Sequence, residues 1–166
     1  MSGRTFGRGA GVLSLDRPSE TAAMTVIADR RAAFRDLHRA GCFALPNPWD
    51  GRSAAAMARA GFHALASTSA GAAWALGLED GGMSVDQVLA HLRFLCSATA
   101  LPVNADFEAG FAPTADGVAD NVARCVETGV AGLSIEDRDG DRFFPIEEAA
   151  ARVRAARAAK IGRAHV

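Results

Sequence analysis

Lysine and cysteine are scarce in this sequence, and both shortages exclude kinds of chemistry. Lys160 is the only lysine in a chain of 166 residues, and it follows the last predicted helix. A Schiff-base mechanism, which needs a lysine on a strand, is therefore disfavoured. The three cysteines, Cys42, Cys96 and Cys125, lie far apart in apolar segments and form no CxxC or Cys/His ligand spacing. We interpret them as buried free thiols in a reducing compartment, which makes the cytoplasm the expected location.

Long apolar runs and an excess of basic charge are also absent. No segment approaches the roughly 18 apolar residues that span a bilayer, and Gly11–Leu15 is too short for a signal-peptide core. The net charge is -1, which predicts no nucleic-acid partner. We therefore expect neither a membrane nor a nucleic acid as a partner. Hydrophobic residues make up 49% of the chain, which is enough for a single folded domain.

The composition divides the chain into three parts. Residues 1–24 mix glycine, arginine, serine and proline without a period, and we predict a disordered extension there. Residues 25–160 alternate amphipathic and apolar segments and are predicted to form the folded domain. Residues 161–166 break the helical pattern, and we interpret them as a non-native tail.

The folded part repeats a strand followed by a helix. Its apolar segments predict the strands Cys42–Leu45, Phe62–Ala66, Leu101–Ala105 and Val130–Ile135. The amphipathic segments predict the helices Thr25–Ala40, Gly51–Ala60, Ala72–Leu76, Val85–Ala98, Ala115–Thr128 and Ile146–Ala159. This order is typical of an α/β fold with a parallel sheet covered by helices. No GxGxxG follows the first strand, which argues against a dinucleotide-binding fold.

Acidic residues follow two successive predicted strands. Asp106 and Glu108 lie two residues apart after the third strand, and Glu136 and Asp137 follow the fourth. Right-handed crossovers place the carboxyl ends of parallel strands on the same side, so we expect these side chains to lie close together. Like charges this close favour a hard cation such as Mg²⁺ between them. The ordinary alternative is that they are solvated loop charges or helix caps.

A loop of small residues follows the second predicted strand. The run Ser67–Gly71 offers hydroxyls and backbone amides that can surround a carboxylate or a phosphoryl group. Clusters of this composition are also common in ordinary turns. On the last helix, Arg152, Arg154 and Arg157 are predicted to form a solvated face.

Four runs together resemble the isocitrate lyase/phosphoenolpyruvate mutase superfamily. They are LPNPWD, AGFHALASTSAG, LPVNADFEAGF and GVAGLSIED, in this order between Val26 and Ala159. The resemblance implies a (β/α)₈ TIM barrel, of which this chain would be the first half, with about four βα units after an N-terminal helix. It also implies Mg²⁺ or Mn²⁺ as cofactor and homo-oligomers of the full-length protein. The reaction implied makes or breaks a C–C or P–C bond next to the carbonyl of a small 2-oxo or dicarboxylic acid, through an enolate-like intermediate.

The resemblance also implies roles for particular residues. Asp106 matches the principal metal carboxylate, and Glu108 and Glu136 match acids that hold the metal, usually through water. Asp80 matches a catalytic acid that faces the reacting group. The loop implied to bind the substrate carboxylate consists of Thr68, Ser69, Ala70 and Gly71.

The sequence departs from the family in one loop and in length. Arg138–Phe143 stands where lyase members carry a Lys-Cys-Gly-His motif, which disfavours isocitrate or methylisocitrate cleavage and leaves a hydrolase, decarboxylase or other lyase. A complete barrel needs about 250 residues, so we expect the fragment to be inactive alone. The alternative is a non-catalytic half-barrel scaffold or a degenerate family member.

Overall fold

The computed structural model describes residues 20–159. The helices are α1 (Glu20–Leu37), α2 (Gly51–Arg59), α3 (Ser69–Ala75), α4 (Val85–Ala98), α5 (Ala115–Val126) and α6 (Ile146–Ala159). The strands are β1 (Leu65–Ala66), β2 (Val103–Asp106), β3 (Gly132–Ser134), β4 (Arg138–Asp139) and β5 (Arg142–Phe143).

The central sheet is parallel and has the order β1-β2-β3. Leu65 lies opposite Val103 on β2, and Asp106 lies opposite Ser134 on β3. Helices connect successive strands, so the carboxyl ends of all three strands meet at one edge. The predicted fold class, parallel βα repeats of the barrel type, is confirmed.

The predicted first strand, Cys42–Leu45, is wrong. These residues belong to no ladder among residues 20–159. Pro46 and Pro48 follow directly and have no N–H to donate, and the bond from the Ala66 N–H to the Pro46 carbonyl, at 3.0 Å, supplies pairing only at the end of the segment. Cys42 is consequently exposed, against the prediction, whereas Cys96 and Cys125 are buried as predicted.

Helix α1 begins earlier than predicted. It starts at Glu20, so residues 20–24 are helical and the prediction of a disordered extension is wrong for them. This segment contains no helix-breaking residue, and an acid in the first turn is favourable near the positive end of the helix dipole. Residues 1–19 and 160–166 lie outside the described residues, so the rest of the extension and the predicted tail stay predictions.

The core lies between the sheet and the helices. Val103, Ala105 and Phe107 alternate along β2 and its end, and all three are buried against α4 and α5. The residues between them, Asn104 and Asp106, are only partly buried because they lie on the opposite face of the sheet. Strand alternation therefore separates the packing residues from the polar residues that reach the site.

Side-chain caps fix the starts of several helices. Asp50 caps α2, and Ser84 with Gln87 makes a capping box at the start of α4. Thr114 caps α5, because its side chain accepts from the Gly117 N–H at 3.2 Å. Within residues 20–159, no helix combines the length and the apolar character needed to cross a bilayer.

Candidate active site

Asp106 is the last residue of β2, and its neighbours fix its side chain. The Asp106 N–H donates to Ser67 Oγ at 2.9 Å. Its Oδ2 accepts from the Ser69 N–H at 3.0 Å and from Ser69 Oγ at 2.8 Å. Both of these bonds fall on one carboxylate oxygen, and no described residue donates a hydrogen bond to Oδ1. Asp106 is thus held rigidly with one oxygen available to a ligand.

Glu108 reaches the same edge of the sheet through a left-handed turn. Buried Phe107 separates it from Asp106, so the alternation of β2 continues past the end of the strand. Glu108 itself has φ 44°, in a region that residues with a Cβ rarely occupy. Its carbonyl accepts from the Glu136 N–H at 2.8 Å. This bond ties the turn after β2 to the residue that follows the end of β3.

Glu136 and Asp80 complete the acidic cluster. Glu136 follows β3 and pairs with Arg138, whose Nε lies 2.9 Å from Oε2. Asp80 comes from the loop between α3 and α4. Asp80, Glu108 and Glu136 line one cavity of about 270 Å³, the acidic cavity. Its other lining residues are Ser69, Gly81, Ala109, Arg138, Asp139, Gly140 and Asp141.

The electrostatics of the acidic cavity are unbalanced around Glu108. Burial raises the pKa of this carboxyl, and so do the charges of Asp106, Asp80, Glu136 and Asp139, to about 7. The one cation among the residues lining the cavity, Arg138, is already paired with Glu136. An added cation would relieve the repulsion between the carboxylates.

The donor set fits a hard metal ion, with one restriction. Carboxylate oxygens are the ligands that Mg²⁺ and Mn²⁺ prefer. In the described part of the chain, however, no three acidic, histidine or cysteine side chains lie close enough to hold one ion together. An ion held there would need water molecules to complete its ligand shell, as Mg²⁺ commonly does.

The four residues implied to bind a substrate carboxylate form the start of α3 instead of an open loop. The helix begins at Ser69, not at Ala72 as predicted. Thr68 is its N-cap and accepts from the Gly71 N–H at 3.1 Å. The Ser69 N–H is engaged by Asp106, and Ser69 lines the acidic cavity. Ala70 follows in the first helical turn. Of the four residues, Ser69 is the one that contacts Asp106 and lines the acidic cavity.

Two features of the site were not predicted from the sequence. The polar segment after β3 is a hairpin, in which Arg138 lies opposite Phe143 and Asp139 opposite Arg142. Arg152, predicted on a solvated helix face, is 3% exposed, so the prediction is wrong for it, whereas Arg154 and Arg157 are exposed as predicted. A signal was present, because Arg152 shares a helical stripe with Ala149, Ala156 and Ala159, and all of these are buried or partly buried.

Comparison with known proteins identifies the family. A model of the phosphoenolpyruvate phosphomutase family matches residues 34–165. An uncharacterized protein of Mycobacterium tuberculosis is 34% identical over 122 residues, which are 73% of this chain and 46% of that protein. The 2-methylisocitrate lyase of Escherichia coli is 40% identical over 84 residues, 49% of this chain and 28% of the enzyme. The chain thus spans less than half the length of these relatives.

A solved structure extends the likeness to the fold. The crystal structure of 2,3-dimethylmalate lyase, a PEP mutase/isocitrate lyase superfamily member, matches with a TM-score of 0.71 and 29% identity. The match covers 85% of this chain and 51% of that chain. Because the family model also spans most of the sequence, this chain belongs to the phosphoenolpyruvate phosphomutase family, whose relatives include lyases.

Proposed function

We propose that this chain carries the metal-binding part of an enzyme that makes or breaks a C–C or P–C bond beside the carbonyl of a small 2-oxo or dicarboxylic acid. The observation that carries the proposal is the acidic cavity, in which the carboxyl of Glu108 faces other acids and the cation present is already paired. The lyases among the relatives support the class of reaction.

Mg²⁺ or Mn²⁺ would be held at Asp106, with Glu108 and Glu136 contacting its water ligands. When bound, such an ion supplies a positive charge that stabilises the enolate-like negative charge developing on a 2-oxo acid. Ser69 orients Asp106 through two hydrogen bonds to Oδ2, which leaves Oδ1 for the ion. The ligand oxygen is thereby positioned before the ion arrives.

Asp80 and the start of α3 are assigned to the substrate. Asp80 lies on the wall of the acidic cavity, and we propose that it exchanges a proton with the reacting group. Thr68, Ser69, Ala70 and Gly71 are proposed to receive the substrate carboxylate. The Ser69 N–H and hydroxyl are engaged by Asp106, and the Gly71 N–H by Thr68. The Ala70 N–H and the Thr68 hydroxyl are the donors left for it.

The hairpin Arg138–Phe143 bears on which substrates fit. It brings Arg138, Asp139 and Asp141 to the acidic cavity, where lyase members of the superfamily resembled carry a cysteine and a histidine. Arg138 is already paired with Glu136, and neither aspartate replaces a thiol acid. We therefore favour a hydrolase, decarboxylase or lyase other than one that cleaves isocitrate or methylisocitrate.

Binding of a 2-oxo acid tests this proposal, since we expect the 166-residue chain to bind ligands without turning them over. Pyruvate and oxaloacetate are titrated calorimetrically with and without Mg²⁺, into the wild-type protein and into Asp106→Asn. Heat of binding that requires both Mg²⁺ and Asp106 is expected. Binding that ignores Mg²⁺, or no binding by a folded protein in its presence, would favour the non-catalytic scaffold.

A further inference from the structure

The buried guanidinium of Arg152 connects α6 to two walls of the acidic cavity. Its Nη1 donates to the carbonyls of Ala109, at 3.3 Å, and of Ala112, at 2.9 Å. Its Nη2 donates to the carbonyl of Pro113 at 2.9 Å. All three acceptors belong to the segment that directly follows Glu108. A side chain on the last described helix therefore holds the backbone that carries a proposed metal acid.

The same guanidinium supports the hairpin on the other side of the cavity. It lies over the ring of Phe144, with Cζ 4.0 Å from the ring centroid. Phe144 follows β5 directly, and its N–H donates to the Asp137 carbonyl at 2.8 Å, which closes the base of the β4–β5 hairpin. Arg142 also lies over this ring, with its Cζ 4.9 Å from the ring centroid. Through Phe144, Arg152 reaches the wall that carries Arg138, Asp139 and Asp141.

The charge of Arg152 is balanced within its own helix. Glu148 Oε1 accepts from Nη2 at 3.1 Å and from Nε at 3.3 Å. A charge buried this deeply is stable only when it is paired and its donors are satisfied. Because each terminal nitrogen has a backbone acceptor and Glu148 supplies the counter-charge, the guanidinium is fixed in direction as well as in place.

The turn that Arg152 holds needs external support. Glu108 and Phe111 have φ of 44° and 55°, which is uncommon for residues with a Cβ. Such conformations persist where the surroundings fix them. Asn121 Nδ2 provides a second support, by donating to the carbonyls of Gly110 at 3.1 Å and Phe111 at 3.0 Å. Without Arg152, the backbone after Glu108 would lose its supports on the α6 side.

We propose that Arg152 is a positioning residue, which fixes the turn of Glu108 and, through Phe144, the base of the hairpin, so that both walls of the acidic cavity keep their spacing. A lysine cannot replace it fully, since the planar guanidinium serves several carbonyls and stacks on the ring at the same time. A test of this role by Mn²⁺ affinity rests on the proposed function, whereas a test by amide hydrogen exchange does not.

Residue-resolved amide hydrogen exchange on the 166-residue chain tests the positioning directly. Arg152→Met is compared with Arg154→Met, a control on the same helix whose side chain is exposed. We expect Arg152→Met to speed exchange about tenfold at Gly110 and Phe144. Ser67 and Ala131, whose N–H groups bond to carbonyls of β2, should change little. Arg154→Met should change none of them. Equal acceleration at all four amides would show a merely global loss of stability and overturn the proposal.

Mn²⁺ affinity, followed by electron paramagnetic resonance, supplies the functional readout. Misplacing a supporting residue typically weakens metal binding about tenfold or more, and this is expected for Arg152→Met but not for Arg154→Met. If the wild-type protein binds Mn²⁺ and Arg152→Met binds it with the same affinity, the proposal is overturned. If the wild-type protein binds no Mn²⁺, the proposed function is contradicted instead. The hydrogen-exchange data alone then test the role of Arg152.

Arg152→Lys keeps the test decisive if Arg152→Met does not fold. Lysine retains the charge beside Glu148 but lacks the planar guanidinium. We therefore expect faster exchange at Gly110 and Phe144 than in the wild type, with a smaller increase than in Arg152→Met. An Arg152→Lys protein that matches the wild type at both amides would contradict the assignment.

Discussion

Glu108 is the residue at which the demands of folding and of function conflict most clearly. Its backbone occupies a left-handed conformation and its side chain is partly buried among other acids. Neither property stabilises the fold, because both the strain and the desolvation of a carboxylate cost free energy. Such a cost is typical of residues kept for binding or catalysis.

The stability of the metal-free protein should therefore depend on the protonation of Glu108. Burial and the neighbouring acids raise its pKa to about 7 from the ordinary value of 4.5. The folded state then binds this proton more tightly than the unfolded state does. The stabilisation from the protonated form is complete below pH 4.5 and is lost as the pH rises through about 7.

Glu108→Gln removes this dependence, since the amide does not ionise. Relative to the wild type, we expect the variant to gain about 1 kcal/mol in the free energy of unfolding between pH 4.5 and pH 8, a value reduced for solvent screening. Urea unfolding at both pH values measures it. Glu127→Gln, at an exposed position, is the control and should show no such gain. A pH-independent difference for Glu108→Gln would contradict the account.

The turn after β2 is the element on which the site depends, and Gly110 is one of its critical positions. Gly110 has φ 83°, and a Cβ there would meet Val118 Cγ1 at 2.9 Å. Gly61 has φ 89°, but a Cβ would meet nothing within 4 Å. The pair therefore separates backbone strain from a steric clash with α5.

Alanine at these glycines should have unequal costs. Gly61→Ala is expected to cost about 1 kcal/mol from backbone strain alone, whereas Gly110→Ala adds about 1–3 kcal/mol from overpacking against Val118. Denaturant unfolding of both variants gives the comparison. Equal losses of unfolding free energy in the two variants would mean that the turn accommodates the added Cβ without cost. Its geometry would then not be held by packing against Val118.

A capping box stabilises the start of α4. Ser84 Oγ accepts from the Gln87 N–H, and Gln87 Oε1 accepts from the Ser84 N–H at 2.8 Å. Ser84→Ala removes the cap and should lower the free energy of unfolding by about 1 kcal/mol. Ser97→Ala is the control, since the Ser97 hydroxyl only bonds back to Phe94 within the same helix, and its loss should be near zero. A similar loss in both variants would argue that the capping box contributes nothing.

The elements that could be predicted are those whose signals are local. The bounds of α4 and α6 match the prediction, because an apolar stripe or a cap specifies each end within a few residues. Cys42–Leu45 failed because a strand needs a paired neighbour, which the sequence of the segment does not contain. The observed start of α3 precedes the predicted one, because Thr68 has the character of a loop residue and only its hydroxyl, which caps the helix, marks the start.

The candidate site was predictable in part for the same reason. Asp106, Glu108 and Glu136 follow apolar segments, so topology alone brings them to one edge of the sheet. Arg152 escaped prediction because its acceptors are carbonyls about forty residues away, on a turn whose shape only the folded chain fixes. Charge pattern along one helix cannot reveal such a partner.

In the whole molecule, residues after two strand ends, the first residue of α3 and one hairpin meet at the acidic cavity. Glu108 and Glu136 follow adjacent strand ends, Asp80 comes from the loop before α4, and Asp139 from the hairpin. Asp106 is bound to Ser69, which lines the same cavity. Family membership supports the proposed reaction on a small carboxylic acid. The chain spans 51% of the 2,3-dimethylmalate lyase chain that it matches, and the activity of a complete protein remains part of the proposal.

Direct titration of the 166-residue chain with Mn²⁺ tests the central claim, that these acids form one site for a hard cation. The wild type should bind a single ion with a Kd in the range from about 1 μM to about 1 mM, as hard oxygen sites commonly do. Asp106→Ala should abolish this binding, and Asp120→Ala, at an exposed position on α5, should leave it unchanged. No binding by the folded wild type, or equal binding by Asp106→Ala, would contradict the account.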